Sequence, residues 1–217
     1  MQQMNLTLMY MRNAFIVDIA QRKSVKVLKL NSISPASAKQ WLQSDILIFD
    51  TWHWWLHTGR KQPWDMIEDG KVMRKDMNRL EAYEKALRTW SRWVNHNVNT
   101  NKVKLFFQGV SPDHWNASEW GKPERQRCGE QGEPLVMEGR GAIGSRNEAD
   151  IILKKVLKRM KKKKQQVHLL DINKLSQYRV DAHPSIYGNP RNIGMDCTHW
   201  CLPGVPDAWN QLLYATL

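Results

Sequence analysis

Apolar residues recur along this chain at two spacings. Residues 25–30, Val-Lys-Val-Leu-Lys-Leu, alternate as a half-buried strand does, and residues 5–10 and 15–19 read as shorter strand-like pieces. Residues 45–50, Asp-Ile-Leu-Ile-Phe-Asp, form a nearly continuous apolar run, the pattern of a central strand covered on both faces in a parallel sheet. Residues 103–107 and 167–172 are two more short apolar strands. Between them the period lengthens. Over residues 76–98, Met77, Leu80, Tyr83, Leu87, Trp90, Trp93 and Val94 recur at helical spacing, and from 147 to about 160 Ile151, Ile152, Val156, Leu157 and Met160 do the same. Ser34-Pro35-Ala36 starts a short helix, with Ser as cap and Pro at the first helical position, and Pro206 starts a last one through Trp209, Leu212 and Leu213. Residues 59–70, 116–144 and 181–194 read as loops and 175–178 as a turn. Strands alternating with helices predict an α/β fold, a mainly parallel sheet flanked by helices. Sites in such sheets gather beyond the carboxyl ends of the strands. The corner where residues 45–50 run into Thr51-Trp52-His53-Trp54-Trp55 is one such place.

Composition narrows the picture. At 217 residues and 41% hydrophobic content the chain supports one sizeable core, so one domain over residues 1–217 is the expectation. No apolar run is long enough to span a bilayer, and Met1-Gln2-Gln3-Met4 has no signal-peptide pattern. The chain is therefore expected to be cytosolic or to lack its targeting segment. The net charge of +12 suggests nucleic acid at first, but residues 154–164 carry seven Lys and one Arg with no acid, eight of those charges in one run. That run reads as the solvated end of a helix, favoured there by the helix dipole, and no nucleic-acid motif accompanies it. Eleven tryptophans recur in polar settings, which suits packing and also suits a carbohydrate-binding cleft. The three cysteines, Cys128, Cys197 and Cys201, are an odd count, and two sequons, Asn5-Leu6-Thr7 and Asn116-Ala117-Ser118, are compatible with a secretory lumen. Two arrangements are open for the thiols: one disulfide with one thiol left over, or a zinc site using Cys128, Cys197, His199 and Cys201, which would take His199 away from catalysis.

The densest chemistry lies in Met195-Asp196-Cys197-Thr198-His199-Trp200-Cys201-Leu202-Pro203-Gly204-Val205-Pro206-Asp207-Ala208-Trp209-Asn210. Asp196 stands three residues before His199, so carboxylate and imidazole can share one side of a tight turn. A carboxylate holding Nδ1–H leaves Nε2 to take a proton from a hydroxyl, the base half of a Ser-His-Asp triad. A loop histidine capped by its neighbour would show the same spacing. The whole string, however, closely resembles the C-terminal signature of the trichome birefringence-like family of plant cell-wall polysaccharide O-acetyltransferases, which are similar in fold to SGNH/GDSL esterases. Further blocks carry the likeness. Phe49-Asp50-Thr51-Trp52-His53-Trp54-Trp55 looks like the family's Phe-Asn/Asp-x-x-x-Trp-Trp block, and Phe106-Phe107 with Ser111-Pro112-Asp113-His114 looks like its Phe-Phe…Ser-Pro-x-His block, with Cys128 where that block's cysteine belongs. Leu169-Leu170-Asp171-Ile172, through residues 178–187, resembles the approach to Asp-x-x-His.

The resemblance implies an SGNH-like domain with His199 as general base and Asp196 as its orienting carboxylate. It implies acetyl transfer through an acyl-serine to a wall polysaccharide in the Golgi lumen, with an acetyl donor but no bound cofactor, metal or nucleic acid. Asp50, Trp52 and His53 are candidates for oxyanion stabilisation or acceptor binding. Many relatives have Asn where this chain has Asp50, and an ionised Asp cannot donate a hydrogen bond, which shifts that role to backbone or to His53. The family's nucleophile is the serine of Gly-Asp-Ser, a triplet absent here. Ser145 follows a glycine but reads as a helix-start serine. The chain is therefore expected to be the C-terminal portion of a family member, without membrane anchor, nucleophile strand and a cysteine partner. Cys128 is expected to pair with Cys197 or Cys201, leaving the other free. His57, His114 and His183 are loop histidines for which packing and function are equally open.

Overall fold

The alternating residues of the N-terminal part build a sheet. In a computed structural model that describes residues 6–136, 147–162, 165–188 and 194–217, strand β1 (Asp18–Arg22) turns at Lys23, φ 53°, and pairs antiparallel with β2 (Val25–Lys29). The chain then forms the short helix α1 (Pro35–Trp41) and strand β3 (Ile46–Phe49), and returns to the first sheet with β4 (Met66–Asp69) and β5 (Val72–Arg74). β4 runs parallel to β2 and antiparallel to β5, giving the order β1-β2-β4-β5. The sequence predicts only loop over 59–70. Ile67 is the one buried side chain of β4, so no apolar run marks the strand. Its turn does carry a signal: Gly70 at φ 64° supplies the left-handed first residue of the two-residue Gly70-Lys71 turn that follows Asp69.

This sheet belongs to a compact unit made of residues 1–43 and 51–97. Helix α2 (Arg79–Asn97) buries Ala82, Tyr83, Ala86, Leu87, Trp90 and Val94, the stripe its spacing predicts. Thr89 Oγ1, on the same face, donates 2.7 Å to the carbonyl of Leu30. Phe15 meets the rings of Trp55 and Trp64 edge-on at 5.1 and 5.2 Å, and Trp55 Nε1 donates 2.9 Å to Thr51 Oγ1. Most of the tryptophans between 41 and 93 are thus packing residues.

The second unit comprises residues 44–50 and 98–217. Its sheet is parallel throughout: β3, then β6 (Lys104–Gln108), then β7 (His168–Leu170), in that spatial order. All three carboxyl ends therefore lie along one edge. The expected α/β class is what the two units show, with one sheet mixed and the other parallel. β3 departs from its expected surroundings. It is an edge strand of the described sheet, and Ile46 and Ile48 are exposed on one face while Leu47 and Phe49 are buried on the other.

Helix α3 (Glu148–Lys162) buries Ala149, Leu153, Val156, Leu157 and Met160. The charge run along it is not uniformly solvated. Lys154 Nζ lies 2.8 Å from Asp150 Oδ2 and 2.9 Å from Asp171 Oδ2, tying the helix to the residue just after β7. Leu153→Ala, in this fully buried stripe, is expected to lower unfolding stability by about 3 kcal/mol, read as a reduced denaturation midpoint in urea. Beyond β7 come α4 (Asn173–Gln177) and α5 (Val205–Tyr214). Trp209, Leu212 and Leu213 of α5 cover Phe106, Leu170 and Ile172, and Trp209 Nε1 donates 3.0 Å to Ser176 Oγ. No described helix is long and apolar enough to cross a membrane.

Candidate active site

The loop that leaves the carboxyl end of β6 holds the residues around Asp196 in place. The backbone N–H of His114 donates 3.0 Å to the carbonyl of Cys197. Farther along the same loop Cys128 is joined to Cys197 in a disulfide with a Cα–Cα distance of 5.8 Å. The bridge is buried among Ala117, Trp120 and Val180, with Leu135 and Met195 packed against that cluster. From the other side Ser185 and Asp196 exchange both backbone hydrogen bonds at 3.0 Å, and Cys201 N–H donates to the Ala182 carbonyl at 3.0 Å. Asp196 is thus pinned by a covalent bridge on one neighbour and a two-bond ladder on itself.

The side-chain geometry follows. His199 Nδ1 lies 2.8 Å from Asp196 Oδ2. The other oxygen, Oδ1, accepts from the His199 N–H at 3.0 Å, the Thr198 N–H at 3.1 Å and the Thr198 hydroxyl at 3.0 Å. Burial pushes the Asp196 carboxyl up, but the backbone N–H groups of His199 and Thr198, the His199 ring and the Thr198 hydroxyl outweigh it and hold the group below the ordinary carboxylate range. A carboxylate held low stabilises the fold above its unfolded pKa, and that contribution disappears as the pH falls through its folded value. The His199 side chain is 79% exposed, leaving Nε2 open to solvent. A carboxylate on Nδ1–H with an exposed Nε2 is an arrangement that can serve as a general base toward a hydroxyl.

Gly188 makes this arrangement possible. A Cβ on Gly188 would stand 2.9 Å from Asp196 Cβ, 3.0 Å from Pro184 Cβ and 3.2 Å from Asp196 Oδ2. In the chain joined to a relative's segment bearing Gly-Asp-Ser, Gly188→Ala is therefore expected to push the carboxylate off the imidazole and reduce turnover about 10²-fold, with the denaturation midpoint nearly unchanged. Turnover like that of the parent would show that the loop yields without moving Asp196.

The remaining sequence candidates separate. Asp50 closes β3 in the second unit and receives Gln108 Nε2 at 3.3 Å. Desolvation by the protein around Asp50 pushes its carboxyl up to about 6, while its exposed surface lets solvent moderate that push. Trp52 and His53 belong to the first unit. There Trp52 packs on Tyr83 at 4.9 Å and His53 opens a 3-10 turn, His53–Leu56. Cys201 is free and exposed. The disulfide uses two of the four donors that the zinc alternative needs. Ser145 lies outside the described residues. One participant escaped the sequence reading. Thr198 had a visible signal, since a hydroxyl two residues after an Asp favours this kind of turn. His114 and His183, whose roles the sequence leaves open, lie 69 residues apart and 2.6 Å from each other, a meeting that no local spacing records.

A parallel sheet with a carboxylate-held imidazole in the loops that follow its strands agrees with an α/β fold of the SGNH type, the class that the family comparison shows. The chain belongs to the PC-Esterase family, described as a GDSL/SGNH-like acyl-esterase family found in Pmr5 and Cas1p, whose model matches residues 1–216. It is 48% identical over 214 residues to Protein trichome birefringence-like 43 of Arabidopsis thaliana, covering 98% of this chain and 56% of that protein. It is 48% identical over 216 residues to Protein trichome birefringence-like 38 and 47% identical over 216 residues to Protein trichome birefringence-like 40, both also of Arabidopsis thaliana. Each of those alignments covers 100% of this chain, and respectively 54% and 57% of the relative. The chain thus spans little more than half the length of the relatives it matches.

Proposed function

We propose that Asp196 and His199 are the acid and base members of a Ser-His-Asp acyl-transfer site, and that the reaction is O-acetylation of a cell-wall polysaccharide such as xylan, mannan, xyloglucan or pectin. The observation that carries this is the 2.8 Å contact of His199 Nδ1 with Asp196 Oδ2, made while Oδ1 is held by three other donors. In the reaction His199 Nε2 takes the proton of the serine hydroxyl as that oxygen attacks the acetyl donor, and returns it to the donor's leaving group. It next takes the proton of the acceptor sugar hydroxyl, whose oxygen attacks the acyl-serine, and returns that proton to the serine. Asp196 stabilises the imidazolium each time. No Gly-Asp-Ser occurs in the 217 residues, and we place the acyl-serine in a segment they do not include. The Golgi lumen is the setting we propose, in keeping with the disulfide.

The test is transfer of labelled acetyl to a polysaccharide acceptor, by the chain alone and by the chain joined to a relative's segment bearing Gly-Asp-Ser. The chain alone is expected to give background and the joined protein turnover. Robust turnover by the chain alone would place the nucleophile within it. A second reading, hydrolysis of polysaccharide acetyl esters, is favoured by the exposure of His199, because water reaches an open acyl-enzyme as readily as a sugar does. Release of free acetate without labelled polymer would decide for it.

A further inference from the structure

Behind His199 two buried imidazoles form a chain between backbone carbonyls. His114 Nε2 lies 3.2 Å from the carbonyl of Gln177, His114 Nδ1 lies 2.6 Å from His183 Nε2, and His183 Nδ1 lies 2.6 Å from the carbonyl of His199 itself. Both rings are buried, and Trp200 lies over His183 with ring centroids 4.3 Å apart. A carbonyl oxygen only accepts, so both outer nitrogens must carry protons. Two neutral imidazoles protonated at their outer nitrogens would face each other across 2.6 Å with two lone pairs. A third proton removes that conflict. Three hydrogen bonds on two rings therefore require one added charge, shared by the inner nitrogens.

We propose that His114 and His183 are a proton-sharing positioning pair for His199: a single added proton between their inner nitrogens lets His183 hold the His199 backbone while His114 is anchored on Gln177. This rests on the reading of His199 as the catalytic base. The groups that face the pair are Asp113 on the β6 loop, Asp181 on the segment after α4, and Asp196. Of these, Asp181 is already engaged by Arg179, and Glu119 raises Asp113. Burial lowers His183 below the ordinary imidazole range, while the His199 carbonyl and the three aspartates oppose that shift. Burial and then the charge of His183 lower His114 to about 4. Both rings are lowered, so the pair takes its added proton on the acid side of the ordinary imidazole range. Because folded imidazoles with lowered pKa bind protons less readily than unfolded ones, their contribution to stability is full above the unfolded value and falls away toward about pH 4. Between those limits the clamp on His199 is closed. At higher pH one of its three contacts opens.

The experiment is nitrogen NMR of the 217-residue chain labelled at histidine, titrated from pH 8 to pH 4. His114 Nδ1 and His183 Nε2 are expected to move together in one step toward the protonated position. His114→Asn is the informative variant, because its amide N–H donates to a neutral His183 and needs no added proton. In it His183 is expected to stay in the Nδ1–H tautomer, with the shared step gone. Two inner nitrogens that titrate independently, or an unchanged His183 step in His114→Asn, would overturn the pair. In the nucleophile-bearing protein, His183→Ala is expected to lower kcat about tenfold at unchanged KM and to remove an acid-side step from the pH profile, a step that is also absent from His114→Asn. Acyl transfer indifferent to His199, with the two nitrogens still moving together, would defeat the functional reading and leave the pair standing.

Discussion

Asp196→Asn is expected to reduce acetyl transfer by about 10⁴-fold in the nucleophile-bearing protein, with only the small loss of stability that follows from giving up a carboxylate held low. The asparagine oxygen can keep the three donors that now converge on Oδ1, the N–H groups of His199 and Thr198 and the Thr198 hydroxyl. The atom facing the ring becomes an N–H₂, a donor in place of an acceptor. Nδ1 must then present a lone pair to it, which moves the imidazole proton to Nε2. An Nε2 that already carries its proton cannot accept one from a hydroxyl. The loss is therefore one of tautomer rather than of structure, and a nearly matched denaturation midpoint separates the two. A variant that retained most of its activity would mean that His199 needs no orienting carboxylate.

Breaking the Cys128–Cys197 bridge is expected to have the largest effect on stability. The two residues are 69 apart in sequence, and a loop of that size corresponds to about 4 kcal/mol in the chain-entropy account. The position of the bridge adds a functional consequence. Cys197 directly follows Asp196, and its carbonyl receives the His114 N–H. Replacing both cysteines by Ser is expected to lower the denaturation midpoint sharply and, in the nucleophile-bearing protein, to reduce turnover even at temperatures where it stays folded. Cys201→Ser, at an exposed free thiol, is the matched control and is expected to change neither.

What the sequence disclosed and what it hid divide along the range of the contacts involved. α2 was legible because Leu80, Tyr83, Leu87, Trp90 and Val94 repeat a short period, and Asp196 and His199 were legible because three residues of a turn bring them together. The β4–β5 hairpin was hidden because only Ile67 of β4 is buried, although Asp69-Gly70 marked its turn. The apolar run of β3 looked central because composition reports how apolar a strand is, and not whether Ile46 and Ile48 have anything packed on them. His114 and His183 meet only because the β6 loop and the segment after α4 converge on Cys197 and His199. No local pattern records that meeting. Gly188 is of the same kind: its lack of a side chain matters only because Asp196 is folded against it.

The central claim is that His199, held by Asp196, is the base for acyl transfer. Labelled acetyl transfer to a polysaccharide acceptor by the nucleophile-bearing protein and its His199→Ala variant tests it most directly. Turnover in the parent that falls to background in the variant, with the folded state intact by its denaturation midpoint, is the expected result. Turnover that does not depend on His199 would contradict the account.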